Sequence, residues 1–408
     1  MQRGRLTGKM WATGLAVVLV TGCAAAPGTP GTTESPTGAG KTSKPAAPSA
    51  SPSDSPTGSG PSTSAPPTTS GRAASNIPMT KLQPGEKPPQ FVIFSFDGAG
   101  SHDRWQLFRA AAKPTDSRFV AFLSGIYLLT EKNRKKYHGP GHAPGAASIG
   151  FGGTKQDVIT LINDLNQGFA AGDEIGTHYN GHFCSGAGYA GNSWTTADWK
   201  SELSQFMDFL TNYKKLNGWS DDEVPTLNVT PQDIKGGRTP CLEGKLAALV
   251  PAWKAFGFTY DSSLPLTSGI SWPVKLRGIW EFQMPWVYSP GFKRSIMAMD
   301  YNMWVTFNGG KNEPGRAPEL RQKVRQTYDY MYQQAYRGNR APVLIANHFN
   351  SWNGNSFNPP VAEFMKATCG KPDTYCTTYQ DVIAWMELQD PAVLKALRAK
   401  PAVATGAS

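Results

Sequence analysis

Gly172-Asp173-Glu174-Ile175-Gly176-Thr177-His178-Tyr179-Asn180-Gly181-His182 is the stretch on which the reading of this chain turns. A short apolar strand ending Glu174-Ile175-Gly176 delivers His178 to a strand end. His182 follows about one helical turn later, so both imidazoles can face one point. Neutral imidazole is the commonest protein ligand for a transition metal. Two histidines hold a divalent ion poorly, so a carboxylate is needed. Asp97 is the upstream candidate, because Phe91-Val92-Ile93-Phe94-Ser95-Phe96-Asp97-Gly98 is a buried-strand pattern that ends in an acid. A His-x3-His pair alone fits a surface turn equally well, and the other strand-end residues shift the balance.

Outward from this stretch the chain reads as strand, helix, strand. Strand patterns run Phe91–Phe96, Phe119–Tyr127, Glu174–His178, Thr226–Thr230, Thr259–Asp261, Ile279–Met284 and Val343–His348. Helical patterns run Lys155–Ala170, Thr196–Lys214, Glu243–Phe256 and Ala317–Arg337, with Thr196 as an N-cap and Gly257 as a stop. Alternation of this kind predicts an α/β fold with a parallel sheet, and seven strands over this length predict a closed barrel. Chemistry in α/β barrels gathers at the C-terminal ends of strands. Asp97, His178 and His348 all fall there.

Six stretches stand in a telling order: Ser95-Phe96-Asp97-Gly98, Phe119 to Gly125, Gly172 to His182, Arg238-Thr239-Pro240, Tyr260-Asp261-Ser262-Ser263, and Asn339-Arg340-Ala341-Pro342 through His348 to Trp352. Together they make residues 90 to 387 resemble the polysaccharide deacetylase family, carbohydrate esterase family 4 or NodB-homology domain. The resemblance implies a distorted (β/α)7 barrel that removes N- or O-acetyl groups from polysaccharides with a divalent metal, zinc by default. It implies His178 and His182 as metal ligands, Asp97 as general base, His348 as general acid, and Arg238 as the partner that orients Asp97. Tyr260, Trp280, Trp286 and Trp352 are candidate walls of a sugar subsite, since aromatic faces suit pyranose rings.

One departure stands out. The family carries two adjacent acids in its first motif, the base and then a metal ligand, and here the second position is Gly98. Asp97 as base leaves the metal two histidines; Asp97 as ligand leaves no base. His102 and Asp103 are the nearby substitutes, and Asp300 a more distant one. The alternative function is therefore a glycan-binding protein that lost hydrolysis, and a further variant is an O-acetyl esterase on acetylated xylan. Asp261 reads as a turn cap and Asp381 as a helix N-terminal acid.

The N-terminus reads as a targeting segment. Arg3, Arg5 and Lys9 precede the short apolar run Met10 to Val20, and Val20-Thr21-Gly22-Cys23 resembles a bacterial lipobox. Residues 1–22 are thus expected to be a lipoprotein signal peptide, with Cys23 lipid-modified and the protein tethered to the outer face of the cell membrane. Residues 23–86 are rich in Pro, Ser, Thr and Gly, which predicts a disordered, extended linker. The catalytic head is expected over 87–395 and a tail over 396–408. The formal net charge of +10 suits anionic wall polymers, and no dense Lys/Arg cluster of the nucleic-acid-binding kind is present. No protein partner is predicted. Four further cysteines suit export. Cys369 and Cys376 flank a short loop and are expected to pair. Cys184 and Cys241, each beside a candidate site motif, are expected to tie the His loop to the Arg238 loop; a Cys-rich metal site is the less favoured reading, because the spacing does not fit a zinc ribbon.

Overall fold

Nine residues, Gln90–Gly98, form β1, and every one except Gly98 is buried. A strand buried on both faces is the mark of a parallel sheet covered by helices. The computed structural model describes residues 71–406; the expected signal peptide, Cys23 and most of the linker lie outside them. The elements follow in order: β1, α1 (His102–Ala112), β2 (Val120–Leu123), α2 (Lys155–Ala170), β3 (Glu174–Thr177), α3 (Thr196–Asn217), α4 (Leu246–Ala255), β4 (Tyr260–Asp261), β5 (Val274–Leu276), β6 (Ile279–Glu281), β7 (Trp286–Ser289), β8 (Arg294–Met297), α5 (Asp300–Asn308), α6 (Ala317–Arg337), β9 (Val343–His348), α7 (Trp352–Asn355), α8 (Asn358–Thr368), β10 (Thr374–Cys376), α9 (Tyr379–Leu388) and α10 (Pro391–Arg398).

Five strands form one parallel sheet around β1. β9 pairs along Val92–Asp97, β10 along Gln90–Val92, and β2 along Ser95–Gly98, with β3 beyond β2. The remaining wall is built from shorter pieces. Thr177 bridges to Gly237, Ser262 N donates to Gly237 O, Phe282 N to Asp261 O, Ala298 N to Pro285 O, and Met299 bridges to Ala346 of β9. These contacts close a circuit. The protein is a mixed α/β fold in which the expected barrel is part regular sheet and part extended segment.

Several sequence expectations move. Thr226–Thr230 is not a strand; the wall position belongs to residues 235–238. Gly236 and Gly237 hide it from a propensity reading, yet the packing requires them. A Cβ at Gly236 would lie 2.4 Å from Tyr260 O, and one at Gly237 2.1 Å from Thr177 O. The strand expected over Phe119–Tyr127 stops at Leu123, and Gly125–Leu128 turns into a 3-10 helix. α2 and α6 have the bounds that their apolar periodicity predicts. Thr195, not Thr196, caps α3, in a reciprocal box with Asp198.

The folded unit is wider than 87–395. Arg72 donates to Gly172 O and to Asp381, and Ile77 and Leu82 are buried. At the other end Val403 bridges to Ile270, and Ala404 is buried. Residues 71–86 and 399–404 therefore dress the barrel.

Both disulfides form as expected, Cys184–Cys241 across 57 residues and Cys369–Cys376 across 7. Loop-closure entropy makes the longer one worth about 2 kcal/mol more. Denaturant unfolding of the Cys184→Ser/Cys241→Ser and Cys369→Ser/Cys376→Ser doubles should show the larger loss for the first. A larger loss for the second would contradict the assignment.

Candidate active site

The parallel register sets the site. Asp97 at the end of β1 stands opposite His348 at the end of β9, and His178 directly follows β3. Asp97 is 2% exposed. Its Oδ1 accepts from Arg238 Nη1 at 2.8 Å. The rest of the Arg238 fork is occupied as well: Nε donates to Ser262 O, and Nη2 to Ser95 Oγ, Ser262 Oγ and Tyr379 OH. A buried guanidinium with this many partners is fixed in place. Burial alone would push the Asp97 carboxyl up, but Arg238, His178 and His348 outweigh it and hold it below the usual carboxylate range. Asp97 Oδ2 is buried and has no hydrogen-bond partner. It lies 3.9 Å from His348 Nε2.

His348 is oriented from behind. Its Nδ1 lies 2.8 Å from Asp300 Oδ1, and its backbone N donates to Asp300 Oδ2 at 2.7 Å. A carboxylate only accepts, so Nδ1 carries the proton. Burial pushes the imidazole's pKa down, but the Asp300 and Asp97 carboxylates prevail and raise it above the ordinary value. One strand-end pair thus holds an ionised carboxylate and an imidazole biased toward the protonated form.

His178 is placed with equal precision. Its Nδ1 lies 2.9 Å from Arg238 O, a carbonyl, so Nδ1 carries the hydrogen and Nε2 presents a bare lone pair. That Nε2 is buried and unpartnered. The His178 and His182 ring centroids are 5.1 Å apart. Burial drives both imidazoles toward the neutral state, His178 to about 4 and His182 to about 3. Neutral imidazoles suit a divalent cation by their chemistry, but the His178, His182 and Asp97 donor atoms do not all lie within 4.8 Å of one another.

The loop that carries these histidines hangs on one buried acid. Glu202 of α3 accepts from Asn180 N, Gly181 N and Tyr137 OH, and its carbonyl accepts from the Asn180 side chain. Burial raises Glu202 from 4.5 to about 7, against those donors. The native state therefore binds a proton that the unfolded chain has already released above about 4.5. Stability is highest below that value and falls as pH rises to about 7. Glu202→Gln should flatten the slope between those limits in denaturant unfolding at stepped pH. An unchanged slope would contradict the assignment.

The proposed substitutes for a second acid are not brought in. His102 turns to Asp164, with Nδ1 at 2.9 Å, and Asp103 is exposed on the first turn of α1. Asp300, the distant candidate, does reach the site, as the support of His348. Gly98 has φ +86°, and a Cβ there would meet Tyr127 OH at 3.5 Å. Beside it opens a cleft of about 440 Å³ lined by Asp97, Gly98, Tyr127, Phe151, Phe349 and Asn350.

The aromatic walls divide. Trp352 borders the site, 4.8 Å from His348 by ring centroids, and stacks on Trp304 at 5.4 Å with Tyr301 at 5.6 Å. Tyr260 is core instead: its hydroxyl donates to Glu174 and its ring stacks on Tyr379. Trp280 is buried and donates to Glu387, away from the strand ends. Trp286 stands exposed on the β7–β8 hairpin. Asp261 caps its turn through Ser263 N and Oγ, and Asp381 is an acid in the first turn of α9, its backbone N donating to the capping Thr378 Oγ1. Trp304 and Tyr301 escaped the sequence reading; the short run Asp300-Tyr301-Asn302-Met303-Trp304, one helical turn with an acid at its start, was the available signal.

No protein-family model matches this chain, and no curated protein does. Among solved structures it is similar to a Mycobacterium smegmatis protein named as a polysaccharide deacetylase, at 16% identity and a TM-score of 0.43 over 81% of this chain and 99% of that one. A probable polysaccharide deacetylase from Pseudomonas aeruginosa PAO1 aligns at 11% identity and a TM-score of 0.43, over 73% and 92%. The chitin deacetylase from the fungal pathogen Colletotrichum lindemuthianum aligns at 13% and 0.34, over 79% and 89%. The site is therefore read from its own side chains.

Proposed function

We propose that this protein hydrolyses acetyl groups from an extracellular polysaccharide, an N-acetylglucosamine polymer such as peptidoglycan or a chitin-like chain. The observation that carries this reading is the Asp97–His348 pair, 3.9 Å apart, with Arg238 behind one and Asp300 behind the other. An ionised buried carboxylate takes a proton from an attacking water. A protonated Nε2 across the cleft hands a proton to the departing amine or alkoxide. Arg238 keeps the base ionised, and Asp300 keeps the His348 tautomer and plane. The Trp352–Trp304 face offers the leaving sugar a platform, and the cleft beside Gly98 takes the neighbouring part of the chain. His178 and His182 would hold a divalent cation, zinc by its ligands, which would polarise the acyl carbonyl and acidify water. The expected lipid on Cys23 would hold the head outside the cell membrane, where such substrates lie.

A second reading is a glycan-binding head without hydrolysis, and Gly98 is the observation that favours it, since neither His102 nor Asp103 replaces the missing acid. Acetate release separates the two. The full chain, incubated with N-acetylglucosamine oligomers, peptidoglycan and acetylated xylan, should release acetate in a manner lost to a chelator and restored by zinc. Binding to the oligomers without acetate release from any of the three would favour the second reading.

A further inference from the structure

We propose that reduction of the Cys184–Cys241 disulfide creates a thiolate metal site that shares His182 with the candidate hydrolytic centre, in which His182, Cys184 and Cys241 ligate one thiophilic divalent cation of the zinc class. This goes beyond the deacetylase reading and does not depend on it.

Among the described residues, these three are the one group of potential ligands whose donor atoms all lie within 4.8 Å of one another, the two sulfurs through the bond that joins them and His182 through its own placement beside them. While the sulfurs are joined they cannot serve as thiolate ligands, so the disulfide masks the group. The His182 Nδ1 to Cys184 Sγ distance is 3.6 Å. Two ligands of one tetrahedral zinc, with Zn–N about 2.05 Å and Zn–S about 2.3 Å, stand about 3.6 Å apart. The pair is thus already spaced as if sharing an ion. A Cys2His set with an open fourth position is a recognised zinc arrangement.

Breaking the S–S bond does not release the loops from each other. Ser185 N donates to both oxygens of Glu243, at 2.9 and 3.0 Å, and joins the segment beside Cys184 to the segment beside Cys241. Asn192 adds a second tie, donating to Ser185 Oγ and accepting from Gly244 N. Cys241 is exposed and Cys184 half-buried, so a dithiol reductant can reach the bond. Cys369 and Cys376 are buried at 4% and 2% exposure.

The step balances with a dithiol as co-reactant. One of its thiolates attacks a disulfide sulfur, a mixed disulfide forms, and its second thiol resolves it. The dithiol ends as a disulfide, and its two electrons and two protons pass to Cys184 and Cys241. Metal binding then releases the two thiol protons. Since His182 also faces His178, metal placement at this corner becomes sensitive to redox state.

Cobalt(II) is the probe, because thiolate ligation gives a charge-transfer absorption in the near ultraviolet that imidazole and carboxylate do not. The full chain, reduced anaerobically with a phosphine and freed of it, should develop that band on cobalt addition and lose it when zinc is added. The oxidised chain should show no band. Cys369→Ser/Cys376→Ser should retain the band, and Cys184→Ser/Cys241→Ser should lose it. Alkylating the reduced wild-type thiols before cobalt addition should also abolish it, a control that needs no refolded variant. Absence of the band in the reduced wild type, or its persistence in the Cys184→Ser/Cys241→Ser protein, would overturn the proposal.

Discussion

Asp97→Asn should lower kcat/KM for acetate release by about 10³-fold. The amide keeps the shape and one acceptor for Arg238 Nη1, but it cannot take a proton from water. Asp97 also adds, behind Asp300, to the field that raises His348, so the variant touches both halves of the pair. The folded protein pays too, since Arg238 is fully buried and loses its counter-charge. Breaking a buried pair in this way costs about 3–5 kcal/mol when no acceptor remains, and less with the amide in place. Steady-state kinetics beside a denaturant curve separates the two effects. Activity within about tenfold of wild type would remove Asp97 from the base role.

The second large effect is Arg238→Met. The change leaves the Asp97 carboxylate buried without its hydrogen-bonded cation, and it strips partners from Ser95, Ser262 and Tyr379. A loss of about 3–5 kcal/mol in unfolding free energy is expected. Arg238→Lys keeps the charge but not the planar fork, so it should recover part of the stability and little of the activity. If Met and Lys were equally stable, the charge pairing would not be what holds this corner together.

The sequence made the site legible where an element ended on a chemically distinctive residue. Val343–His348 and the Glu174 strand are short, apolar and closed by histidine, so period and residue type agreed. Arg238 was legible through its Arg-x-Pro setting, but its real anchor, the extended segment 235–238 that bridges to Thr177 through Gly237, was not. Two glycines accept backbone approaches that no propensity scale rewards. The aromatic candidates failed for a different reason. Tyr260 and Trp280 look like sugar platforms in sequence, yet each polar tip finds a carboxylate, the buried Glu174 or the exposed Glu387, and the ring becomes core. The fate of His102 and Asp103 was likewise decided by the turn into α1, which aims them along the helix exterior and leaves Gly98 uncompensated by either.

The most direct test of this hydrolytic centre is the zinc content of the oxidised full chain after dialysis against a weak zinc buffer, beside that of His178→Gln. The account predicts about one zinc per chain in the wild type and a clear loss in the variant. Zinc-free wild type, or equal zinc in both proteins, would contradict it.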